Sequence, residues 1–260
     1  MCRFLFLTLS FLLFVSICSA QIRLNKLVIE AKEKYQILGT DIIVVDTLVM
    51  YDSSSIILNS SKLDNFIHAK VASFGKGCTI YGHGINGASG KQGENGITQS
   101  SPCRNGAPGK NAFSGERGRD AINLSLYLTV MKINGSLIAN LNGGDGGKGG
   151  SGGRGGDGGS GTRVCSAGDG GSGGNGADGG DGGNGGAFSI SCKQCPDLHL
   201  IMGEKLIIKN YGGLGGEGGD SGLGGQAGLG PIRDGKNGPR GTEGKHASQG
   251  KAGLFTLNGN

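Results

Sequence analysis

"GGDGGKGGSGGRGGDGGSG", Gly143 to Gly161, repeats a three-residue unit in which two positions are always glycine. A period of three is that of the left-handed polyproline II helix, with a rise of about 3.1 Å per residue, so every third side chain lies on one edge. That helix has no internal hydrogen bonds, and its N–H and C=O groups must find partners on neighbouring chains or in water. Two glycines in three strip the side chains from two edges and let backbones approach and bond. Ordering glycine is expensive, at about 1–2 kcal/mol per fixed residue. A lone run would therefore stay unfolded, whereas several runs tied into hairpins share the cost over many interchain bonds.

Working outward, the same unit returns from Gly168 to Gly186 after the interruption "TRVCSA", and a third pair spans Gly212–Gly230 and Gly235–Gly253, joined by "PIRD". Earlier, glycine falls once per triplet from Gly84 to Gly96 and again from Gly106 to Gly118, around "ITQSSPCRN". Between the pairs stand Ile/Leu-rich blocks at 121–142, 187–210 and 254–258. The order strand block, glycine run, short turn, glycine run recurs three times, which a flexible linker has no reason to do. Runs with two glycines per triplet are expected to be hemmed in on two edges, and those with one to lie at the margins. Collagen and disorder are the competing readings. Five prolines in 260 residues, short runs and doubled glycines argue against a triple helix.

Residues 21–83 read differently. From Asp41 to Tyr81, "DIIVVDTLVMYD", "SSIILN", "NFIHAKVASF" and "CTIYG" are short Ile/Val-rich strands separated by turn formers. Leu24 to Tyr35, "LNKLVIEAKEKY", is compatible with a short helix or an irregular lead-in. Residues 1–20, with Arg3 ahead of an apolar run and Cys18-Ser19-Ala20 at its end, read as a secretory signal cut before Gln21. A lipoprotein with Cys18 acylated is the rival, disfavoured by the bulky Ile17. No later segment is apolar for long enough to span a membrane.

The chain has 58 glycines, no tryptophan, 17% charged residues and a formal net charge of +5. Both signs are interspersed without a basic block, which argues against nucleic acid as a partner. Export leaves five cysteines, Cys78, Cys103, Cys165, Cys192 and Cys195, in an oxidising compartment. Cys103 and Cys165 sit in successive hairpin turns and form the favoured disulfide. The "CKQC" pair, Cys192 and Cys195, reads as part of a structural disulfide, with a redox pair, half a zinc site or a bond to Cys78 as alternatives.

Each turn also carries an arginine: Arg104, Arg163 and Arg233. Hairpins stacked side by side would gather them at one end as a cationic strip for acidic sugars or phosphate groups, the plain alternative being hydrated turn residues. The polar X positions, from Asp145 to Asn184, read as a solvated ridge, with calcium binding by the aspartates a weaker alternative. Leu214, Leu223 and Leu229 make the last hairpin more apolar. Asn59, Asn123 and Asn134 head N-x-S sequons. No Ser/His/Asp constellation, phosphate loop or cofactor motif is present, so no enzyme activity and no cofactor are expected.

Residues 84–253 resemble the polyglycine II bundle proteins, the snow flea antifreeze protein and the glycine-rich adhesins of phage tail fibres, on runs such as "GGNGADGGDGGNGGA" and the turn "TRVCSAG". The resemblance implies a mainly non-helical fold, an antiparallel two-layer bundle of six polyproline/polyglycine II helices spanning 84–260 and rooted in β-solenoid-like strand blocks. It also implies two functions for a secreted, non-catalytic chain: surface adhesion or recognition through the turns, or ice binding. The strand blocks and the leader depart from the pattern.

Overall fold

The structure is a computed structural model that describes residues 21–195 and 198–259; the leader read at residues 1–20 lies outside them. Side-chain alternation at a period of two builds its frame. In the strand Ile42–Met50, Ile43, Val45, Leu48 and Met50 are buried while their neighbours are not, the alternation shifting by one residue between Val45 and Leu48. Eleven strands follow this logic: β1 (Ile22–Ile29), β2 (Lys34–Gln36), β3 (Ile42–Met50), β4 (Ser55–Ile57), β5 (Asp64–Phe74), β6 (Cys78–Tyr81), β7 (Asn123–Ile133), β8 (Leu137–Asn140), β9 (Phe188–Cys192), β10 (Leu206–Lys209) and β11 (Phe255–Gly259).

Odd-numbered strands form one six-stranded sheet, β1-β3-β5-β7-β9-β11, and even-numbered strands a five-stranded sheet, β10-β8-β6-β4-β2. Every pair is parallel. Because consecutive strands alternate between sheets, the chain winds, adding one strand to each sheet per circuit. The registers stack like on like: Ile22, Ile43, Ile67, Leu126, Ile190 and Leu257 form one inward column. Most of these are fully buried, each contributing about 1.5–3 kcal/mol of apolar burial. At the β11 end nothing covers the column among the described residues, and Leu257 is 37% exposed.

This architecture corrects two expectations. Leu24 to Tyr35 is neither a short helix nor an irregular lead-in; β1 pairs with β3 because Leu27 and Ile29 alternate into the core, and the chain turns into β2 at Lys32, whose φ is +65°. More broadly, the fold class is not a bundle of six polyglycine II helices. No helix of any kind is present among the described residues, and the regular secondary structure is two parallel sheets. The in-register pairing of the strands organises the chain. Long glycine-rich excursions replace the connections after β6, β8 and β10, so the winding is only loosely that of a solenoid.

Each excursion runs out and back. The outward stretches, 84–99, 142–161 and 211–229, lie parallel to one another, with Gly84 N–H donating to Asn142 O and Gly143 N–H to Tyr211 O, both at 2.8 Å. Return stretches are linked in the same way, as in Gly106 N–H to Asp169 O. Outward and return stretches bond antiparallel, as in Gly147 N–H to Glu116 O and Gly180 N–H to Gly147 O. A Cβ built on Gly180 would overlap the Glu116 carbonyl, so this position admits only glycine.

The third N–H of a triplet belongs to the X residue, and in many triplets a neighbouring Asn or Asp side chain accepts it. Asn86 Oδ1 accepts from Asp145 N–H, and Asp145 Oδ1 accepts from Leu214 N–H, both at 2.8 Å. Asp169, Asn175, Asp178, Asp181 and Asn184 do the same for the last return stretch. The ridge of Asn and Asp is therefore part of the bonding scheme as well as a hydrated edge.

Between parallel stretches the backbone bonding has a direction, since each stretch donates to the next one along the chain. Among the described residues, the N–H groups of Gly212, Gly215 and Gly218 have no acceptor, and the carbonyls of Asn86, Ser89 and Gln92 receive no donor. Amide hydrogen exchange is expected to show Gly146, Gly149 and Gly152 strongly protected and Gly212, Gly215 and Gly218 exchanging orders of magnitude faster; equal rates would contradict the ladder. Gly180→Ala is expected to cost about 1–3 kcal/mol by chemical denaturation, against less than about 0.5 kcal/mol for Ser89→Ala on the exposed edge.

Candidate functional site at the excursion tips

The turns at the far ends of the excursions gather the residues singled out in the sequence. In the first, Pro102 precedes Cys103, which has φ +62°, a left-handed conformation rare for a residue with a side chain. Its N–H is held by Ser160 O at 2.9 Å. The second turn closes with Thr162 N–H to Cys165 O at 2.9 Å. In the third, Asp234 Oδ1 accepts Gly230 N–H at 2.9 Å.

Neighbouring tips are joined to one another. Cys103 and Cys165 form a disulfide with Cα atoms 6.0 Å apart, across a sequence separation of 62. Arg104 O accepts Gly159 N–H at 2.8 Å, tying the first tip to the second excursion. Arg233 O accepts Ala167 N–H at 3.0 Å, tying the third tip to the second. The main chains of all three arginine-bearing turns are thus fixed side by side. Arg104, Arg163 and Arg233 are exposed, and none takes part in an ion pair among the described residues. Beside them stand Val164, 89% exposed, and Ile232. Three uncompensated guanidinium groups on a stapled backbone can receive carboxylate, sulfate or phosphate oxygens.

The remaining cysteines lie elsewhere. Cys192 and Cys195 are bonded to each other in the turn after β9, where Lys193 N–H donates to Leu128 O and Gln194 N–H to Thr129 O. Cys78 is free and fully buried at the start of β6, its thiol facing the carbonyls of Met50 and Tyr51; burial pushes its pKa up. Of the sequons, Asn59 is buried with Nδ2 donating to Thr40 O at 2.7 Å, Asn123 Nδ2 donates to Asp64, and Asn134 is exposed in the turn after β7. No cluster of three or more His, Cys, Asp or Glu able to hold a metal occurs among the described residues. Nor is any helix among them long and apolar enough to cross a membrane.

Comparison with protein families, curated proteins and solved structures finds no match to this chain.

The staple closes a long loop, and by the chain-entropy argument it contributes about 4 kcal/mol. The double variant Cys103→Ser/Cys165→Ser is expected to lose up to that amount in a denaturant titration while retaining the strand signal in circular dichroism. A loss of less than about 1 kcal/mol would show that the interchain bonds alone hold the tips.

Proposed function

We propose that the protein is a secreted, non-catalytic scaffold that recognises an anionic surface ligand, such as an acidic glycan, through the tips of its excursions. The observation that carries this reading is the set of three exposed arginines without ion-pair partners, on turns locked together by a disulfide and backbone bonds. Disulfides are compatible with an extracellular location, where such a ligand would be met. A rigid backbone lowers the ordering cost of binding, and guanidinium groups suit bidentate oxyanions. Recognition dominated by exposed charge weakens as salt shortens the Debye length to about 10 Å at 0.1 M.

The ice-binding alternative has less support. It needs a flat face of weakly hydrated groups, and the excursion edges carry the exposed ion pairs Lys148–Glu217 and Arg154–Asp157.

On an array of sulfated and sialylated glycans, the native protein is expected to bind in low salt. The triple variant Arg104→Ala/Arg163→Ala/Arg233→Ala should lose about tenfold or more of the signal with an unchanged melting temperature. Glycan binding that survives the triple substitution would remove the tips from the mechanism.

A further inference from the structure

Two cavities share His83 as a lining residue, at the root of the excursions and away from the tip arginines. One, of about 240 Å³, is lined by His83, Asn86, Asn140, Asn142, Asp145 and Tyr211. The other, of about 280 Å³, is lined by Lys34, Ile57, Tyr81 and His83. They share His83 as a wall and are taken together as one groove, with Tyr211 lining the first cavity and Tyr81 the second. Tyr81 and His83 pack edge to face with ring centroids 5.8 Å apart, and Tyr211 is 65% exposed.

The polar groups between the rings are held in place by the backbone. Asn86 Oδ1 accepts Asp145 N–H, Asn142 Oδ1 accepts Tyr211 N–H at 3.0 Å, and Asn140 Oδ1 accepts Asn142 N–H at 3.4 Å. With its oxygen engaged, each amide has a fixed orientation, and its NH₂ has no protein partner among the described residues. Asp145 gives one carboxylate oxygen to Leu214 N–H, and its other oxygen has no protein donor. The groove therefore offers a row of oriented N–H donors, a carboxylate acceptor and an imidazole, flanked by rings whose faces suit C–H surfaces.

We infer that this groove binds an uncharged oligosaccharide. A pyranose chain presents alternating hydroxyl edges and apolar C–H faces, which the amides with Asp145 and the tyrosine rings respectively match. The single carboxylate, Asp145, disfavours an acidic chain here and accepts a hydroxyl proton well. Lys34 at the opposite end leaves the groove close to neutral. The site rests on the extracellular recognition reading but uses none of the tip residues, so the protein engages glycans at two places of opposite character.

The chain has five tyrosines and no tryptophan, and two of those tyrosines line the groove, so tyrosine fluorescence reports on it directly. The probes are cellohexaose, xylohexaose, mannohexaose and chitohexaose, titrated to 1 mM against the native protein, against Tyr211→Ala and Asn142→Ala, and against the triple arginine variant. At least one probe is expected to change the emission saturably; Tyr211→Ala should weaken its binding about tenfold and Asn142→Ala severalfold, and the triple arginine variant should bind as the native does. Tyr211→Ala also removes an emitter, so calorimetry with the same probe measures its affinity. Failure of all four hexaoses, or binding unaffected by both groove substitutions, overturns the inference. Loss of binding in the arginine variant alone would overturn it in favour of the tips.

Discussion

Every part of this molecule depends on one requirement, that backbone N–H and C=O groups pair between neighbouring passes of the chain. In the two sheets the pairing is residue by residue between parallel strands, with side chains stacked in columns behind it. In the excursions, the absence of side chains on two positions of each doubly glycine triplet lets a stretch reach neighbours on several sides. A core rich in Ile and Leu anchors the first kind of pairing. The second has almost no apolar burial of its own, and its ordering is offset by the density of bonds and by tethering at the sheet end and the stapled tips.

The sheet body fixes where each excursion leaves and returns, and this determines which side chains become neighbours. At the far ends it yields three turns carrying unpaired guanidinium groups. At the near ends it brings His83, Asn142 and Tyr211 to the wall of one cavity, with Tyr81 packed on His83 and the amide oxygens already used by main-chain donors. Exposed guanidinium groups stand at one extremity, and at the other a row of amides beside one carboxylate and one lysine.

How much of this could be read in the sequence follows from the range of each signal. The Ile/Val-rich blocks from Asp41 to Tyr81 coincide with β3 to β6, because short β-branched runs set off by turn formers report a strand locally. The Cys103–Cys165 bond was legible because both residues interrupt glycine runs in the same way. β1 was not, since Lys26, Glu30 and Lys32 around Leu27 and Ile29 imitate helical spacing on what is an edge strand. The strand blocks read as solenoid-like rungs but not as the organising element, because glycine periodicity is loud and local, whereas parallel pairing joins residues tens of positions apart. The root groove was hidden for the same reason. Its trace is an offset of 59 residues between Asn86 and Asp145 and of 69 between Asn142 and Tyr211, which acquires meaning only once the winding is known.

The array of excursions also has an unfinished side. Its last members offer N–H groups of the kind that every earlier member gave to a successor, and β11 ends its sheet with an open edge and a half-covered inward column. A duplicated circuit placed there would find its bonding partners already waiting. The geometry therefore allows such an array to lengthen in whole increments, varying the number of displayed loops while the chemistry joining them stays the same.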